Sequence, residues 1–86
     1  MGSQGDALLV RFWAGARAAA GTAQMYVPRT DAMTVADVVT HLESTREELV
    51  PVLQVCALLL DGRAVRREEP VAAAQVLEVL PPFAGG

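Results

Sequence analysis

The residues whose types point to chemistry lie at the end of the sequence, Leu80-Pro81-Pro82-Phe83-Ala84-Gly85-Gly86. Two consecutive prolines favour an extended exit with no backbone donors for a sheet, so the segment is stiff next to the folded body and freed only at the glycines. Gly85 and Gly86 have no Cβ and can lie in a channel too narrow for side chains. The terminal carboxylate, with an ordinary pKa of about 3.3–3.7, is an anion at neutral pH. Carried at the tip of a thin projecting arm, such an anion can attack the α-phosphate of ATP inside a partner protein. The bland reading of the same residues is a frayed terminus.

No other part of the sequence forms a conventional catalytic or metal-binding set. His41 stands alone on a helix surface, one residue before the core position Leu42, with no cysteine or second histidine nearby to make a nucleophile pair or a metal site. Cys56, the only cysteine, opens an apolar stretch and reads as a small buried hydrophobe. Glu47-Glu48 and Glu68-Glu69 are adjacent in sequence, and neighbouring side chains do not converge on one point. Gly15, Gly21 and Gly62 are isolated at element ends and form no phosphate-cradling loop.

A chain of 86 residues supports one small domain, since at this length folding removes only somewhat more than about 60% of the unfolded surface from water. Seven basic and ten acidic side chains give a net charge of −3, with no basic stripe and only 5% aromatic residues. Nucleic acid is therefore a poor partner, and so is an anionic membrane surface. No apolar run approaches the roughly 20 residues of a membrane helix, and the polar start is not a signal peptide. Residues 1–6 read as a flexible N-terminus or an expression remnant. The single cysteine excludes an internal disulfide and fits a cytoplasmic protein. All seven basic residues are arginine, so no side-chain amine can serve as an isopeptide acceptor.

The elements that must position the tail follow from the hydrophobic periods. From Ala7 to Trp13, Leu8, Val10 and Phe12 alternate with Leu9, Arg11 and Trp13, the period of a strand, with Arg11 marking the wetter face. Ala14–Ala20 is an alanine-rich helical turn or two that Gly21 can end in a left-handed conformation. Gln24–Arg29 reads as a second strand. Thr34 and Asp37 resemble a capping box, and Val35, Val38, Val39 and Leu42 form one apolar helix stripe. A further turn can reach Leu49 before Pro51 blocks continuation. Val55–Leu60 predicts a third strand, Asp61-Gly62 a tight hairpin turn, Arg63–Val65 a short return strand and Gln75–Leu80 the last strand. Arg66-Arg67-Glu68-Glu69 reads as a solvated loop. The pattern is α+β, and at this length it predicts a β-grasp over residues 7–82, a mixed sheet of about five strands around one main helix with the first and last strands parallel at its centre. Residues 83–86 form the extended tail. Strand parity then puts Trp13 and Leu80 on the wetter sheet face, side by side, as an exposed apolar patch at the root of the tail. Burial of Trp13 by sheet curvature or by the short helix is the competing expectation.

Arg11-Phe12-Trp13-Ala14 with Arg17 and Gly21, Thr34-Val35, and the terminal signature Pro81–Gly86 resemble the ubiquitin-like sulfur carriers (MoaD/ThiS). Within them the sequence is most similar to the small subunit of molybdopterin synthase, because carriers of the thiazole pathway tend to lack the Ala14–Gly21 insertion. The resemblance spans roughly Ala7 to Gly86. One departure is the stretch Val71-Ala72-Ala73-Ala74-Gln75, where the family often has an acidic, glycine-containing turn.

The resemblance implies a non-catalytic carrier subunit that binds no cofactor of its own. An adenylyltransferase resembling the ubiquitin activators (MoeB/ThiF-like) would consume ATP to adenylate Gly86, and sulfur would then replace AMP to leave a thiocarboxylate. The tail, Gly85 included, would enter the large synthase subunit (MoaE-like) and donate sulfur to the molybdopterin precursor. Residues matching Trp13, Ala64 and Leu80 lie at the family's docking surface, and Pro81, Pro82, Phe83 and Ala84 lead into the partner. The alternatives are a carrier for another pathway (thiamine, cysteine or a specialised sulfur metabolite), a ubiquitin-like protein modifier, and a passive β-grasp binding module.

Overall fold

A computed structural model describes residues 7–82. Strand β1 (Ala7–Phe12) is followed by α1 (Ala14–Ala20), β2 (Gln24–Pro28), α2 (Val35–Thr45), α3 (Leu49–Leu53), β3 (Ala57–Leu60), β4 (Arg63–Ala64) and β5 (Val76–Leu80). The strands form one sheet in the order β2-β1-β5-β3-β4. β1 and β5 are parallel, with Leu9 opposite Val76 and Phe12 opposite Val79, and every other pairing is antiparallel. This is the β-grasp arrangement predicted from the sequence. The last strand is the middle strand of the sheet, hydrogen-bonded on both sides.

One sheet face makes the core. Leu8, Val10 and Phe12 of β1 and Leu77 and Val79 of β5 point inward, where they meet Val35, Val38, Val39 and Leu42 of α2. Ala16 and Ala20 of α1 are buried as well, as are Leu49 and Leu53 of α3. No polar side chain is buried among the described residues. The period-2 burial of β1 and β5 and the helical stripe of α2 thus interlock as their patterns require.

The N-terminus of α2 shows how tightly the helix is seated. Thr34 N–H donates to Asp37 Oδ2 at 2.9 Å and Asp37 N–H donates to Thr34 Oγ1 at 3.3 Å, a reciprocal capping box. The next two orphan donors go to a distant loop: Val35 N–H donates to the Glu69 carbonyl at 2.9 Å and Ala36 N–H to the Arg67 carbonyl at 2.7 Å. The charged stretch 66–69 is therefore more than a solvated loop. Its carbonyls cap α2, the half-buried Arg67 guanidinium donates to the Leu53 carbonyl at the end of α3, and Glu69 pairs with Arg63 at 3.2 Å. Hydrogen bonds from the Arg66 backbone and the Arg63 side chain hold the Glu69 carboxyl below its ordinary range.

Two boundaries differ from the sequence reading. Pro51 does not stop a helix but sits inside α3, as its third residue. A proline in the first turn gives up an N–H that has no intrahelical acceptor, so a fresh helix can contain it although a continuing one cannot. β3 starts at Ala57 instead of Val55, leaving Val55 exposed and Cys56 half-buried ahead of the strand. Cys56 packs against the core edge without entering it, and burial raises its thiol pKa while Arg67 opposes the shift.

The loop without an acid, Val71–Gln75, is held from outside. Asp61, at φ 49° in the left-handed hairpin turn with Gly62 at φ 84°, accepts from both Gln75 N–H and Val76 N–H through Oδ1 at 3.0 Å each. The Arg29 guanidinium donates to the Ala72 carbonyl at 3.1 Å. The start of the central strand is thereby fixed by two side chains from other parts of the chain.

Candidate functional site

The site is the root of the tail, where β5 leaves the sheet. Leu80 is half-buried on the outer face, Pro81 is half-buried beyond it and Pro82 is exposed. Phe83, Ala84, Gly85 and Gly86 lie outside the described residues, as do residues 1–6.

Trp13 occupies the matching place at the end of β1. Its N–H donates to the Val79 carbonyl at 3.2 Å, which continues the parallel β1–β5 ladder by one residue and sets Trp13 beside Leu80. Trp13 precedes α1 in an extended conformation, and the helix turns away toward the core side. Trp13 is 40% exposed, so neither sheet curvature nor α1 buries it. The Arg11 guanidinium carbon lies 5.3 Å from the ring centroid, a cation–π contact that holds the ring on the outer face. α1 ends at Gly21, at φ 77°, whose N–H returns to the Arg17 carbonyl at 3.0 Å. A Cβ there would come within 2.8 Å of Arg46 Nη1.

Ala57 extends the same row, because it pairs with Leu80 across β3–β5. Sequence reasoning missed it, since the third strand was placed two residues early and its outward positions were not assigned. Ala64 is exposed on edge strand β4 opposite Leu59, one row back and two strands from Leu80. The structure thus brings Trp13, Leu80 and Ala57 into one row and places Ala64 at the margin of the same face. Leu9, Val76 and the 62% exposed Tyr26 form a second apolar row on that face. A cleft of about 360 Å³ lies beside the tail root between Cys56, Ala57, Ala64 and Arg66–Glu68.

His41 is half-buried on α2, and its carbonyl accepts from Ser44 and Thr45 hydroxyls. Among the described residues no group of three His, Cys, Asp or Glu could hold a metal ion. No helix among them is long and apolar enough to cross a membrane. What the geometry of the described residues offers is a surface: an open sheet face, an exposed tryptophan, and Leu80-Pro81-Pro82 leaving the central strand beside it.

Comparison with solved structures finds the same fold in several proteins. SAMP1, the small archaeal modifier protein 1 of Haloferax volcanii, aligns with a TM-score of 0.81 and 24% identity over 93% of this chain and 99% of that one. A protein described as molybdopterin converting factor subunit 1 from Pyrococcus furiosus aligns with a TM-score of 0.80 and 19% identity over 90% of this chain and 98% of that one. In a complex of subunits 1 and 2 of the molybdopterin-converting factor from Helicobacter pylori, the matching chain aligns with a TM-score of 0.65 and 22% identity over 93% and 99% of the two chains. No curated protein matches the sequence significantly. The model of the ThiS family matches residues 10–86. The chain therefore belongs to the ThiS family of ubiquitin-like sulfur carriers.

Proposed function

We propose that the protein carries sulfur as a thiocarboxylate on Gly86 and delivers it to the molybdopterin precursor in a synthase complex. The observation that carries this reading is the placement of the tail's root, Leu80 to Pro82, at the end of the middle strand. The central strand delivers the tail through Pro81-Pro82 at the edge of an open apolar row, so a partner gripping Trp13 and Leu80 would have the diglycine threaded into its own active site.

The chemistry asked of the tail is simple and needs no acid or base in this chain. A Gly86 carboxylate oxygen attacks the α-phosphorus of ATP in an adenylyltransferase, and pyrophosphate leaves. The acyl adenylate then has a good leaving group, which the bare carboxylate lacks. Hydrosulfide attacks the acyl carbon, the acyl–oxygen bond breaks and AMP departs, and the resulting thiocarboxylate sulfur is the nucleophile toward the precursor. Hydrolysis of the acyl group returns the carboxylate for another cycle. The partner supplies ATP binding, acids and bases, and this chain supplies the fitted end.

The large-subunit partner is supported by the two-subunit complex that contains the Helicobacter relative. The molybdopterin branch rests on the α1 insertion, Ala14–Ala20. The direct test is reconstitution: thiocarboxylated protein, a molybdopterin synthase large subunit and the cyclic pyranopterin precursor are combined, and dithiolene product is measured. One product per two carriers consumed is expected. Failure to form product while the thiocarboxylate is lost to a thiazole or cysteine synthesis system would move the protein to that pathway. A ubiquitin-like modifier role predicts adducts on other proteins in place of a free thiocarboxylate.

A further inference from the structure

Among the described residues all three helices pack into the core on one side of the sheet, and no element covers the other side. Its middle row carries two opposite charges, Arg11 on β1 and Glu78 on β5, which are register partners on adjacent central strands. Among the described residues neither takes part in an ion pair, since the two that form are Arg46–Glu48 and Arg63–Glu69. Apolar rows flank this pair, Leu9 and Val76 before it and Trp13 and Leu80 after it.

We propose that this face associates with the same face of a second copy, as a symmetric dimer. A face-to-face pair has two simple in-plane two-fold axes. An axis along the rows sets Arg11 over Arg11 and Glu78 over Glu78, which like-charge repulsion disfavours. An axis along the strands, between β1 and β5, sets each Arg11 over the other copy's Glu78. The same operation lays Trp13 over Leu80 and Leu9 over Val76, so both charges are matched where the apolar rows close. Sheets packed this way run within about 30° of one another, as aligned sandwiches do. If the tail root is the docking site proposed above, the dimer covers it, and the free carrier hides its anchor until a partner displaces the second copy. The dimer itself does not depend on that reading.

The test uses charge reversal read by sedimentation. The full chain should dimerise as its concentration rises, while Arg11→Glu and Glu78→Arg should each raise the dimer dissociation constant by about tenfold or more. Mixing the two variants should restore a heterodimer, because each variant then presents two like charges to two opposite ones. Repair of a contact within one chain cannot produce that result. Leu9→Glu, on the same face and outside the core, is the independent variant and should also be monomeric while folded. A wild-type monomer up to about 1 mM would overturn the proposal. So would a dimer indifferent to either reversal, or two folded variants that stay monomeric when mixed. Loss of sulfur transfer with the dimer intact would count against the proposed function alone.

Discussion

Trp13 answers two demands at once: its backbone continues the β1–β5 ladder while the residue stays 40% exposed with its ring under the Arg11 guanidinium. A ring with no core role and a fixed orientation suits an interface anchor, and removing it should cost binding without costing the fold. Trp13→Ala should weaken binding to the adenylating enzyme by about 2 kcal/mol or more, measured by titration, with an unchanged native spectrum. Ala72 carries a different burden. It sits at φ 50°, where a side chain costs about 1–2 kcal/mol that glycine avoids. After the extra entropy glycine loses on folding, Ala72→Gly should stabilise the protein by about 0.5–1 kcal/mol in denaturant melts. Burial raises the Cys56 thiol pKa, so less thiolate exists at neutral pH than in the unfolded chain. Alkylation of the folded protein should be slower than in denaturant, and the gap should narrow as pH rises through the folded pKa.

Among the elements, α2 depends on contacts both near and far in the sequence. The capping box is legible from Thr34 and Asp37, and Thr34→Ala should cost about 1 kcal/mol in equilibrium unfolding. The Glu69 and Arg67 carbonyls that complete the cap are not legible, since backbone carbonyls carry no residue signature and lie more than thirty positions away. The second role of Asp61 was hidden from the other side of the bond, since the groups its carboxylate reaches, Gln75 and Val76 N–H, are backbone donors with no residue signature. Strand faces are legible where a charge breaks an apolar alternation, as Arg11 and Glu78 do. Strand ends are not: Val55 and Cys56 look like strand but have no partner in the sheet, and Pro51 is read as a stop only if α3 is counted as part of α2. Gly21 joins both kinds of information. Its left-handed φ is expected at a helix end, but only the structure shows Arg46 packed where a Cβ would go, so Gly21→Ala should cost about 1–2 kcal/mol.

At the scale of the molecule, the described residues form two layers, a sheet closed by helices on one side and open on the other, with β5 in the middle. Putting the last strand there anchors the root of the tail on two neighbours, β1 and β3. This makes a body whose last described residues leave from its middle strand, as the carrier role proposed above requires. The central claim is the chemistry of that end, and the most direct test is intact mass. The protein with a free C-terminus is incubated with its adenylating enzyme, with and without ATP and a sulfur donor. The account predicts a gain equal to one oxygen replaced by sulfur, mapped to Gly86, dependent on ATP and lost when Gly85 and Gly86 are deleted from an otherwise folded chain. An unchanged mass with an enzyme shown to be competent on another carrier would contradict it.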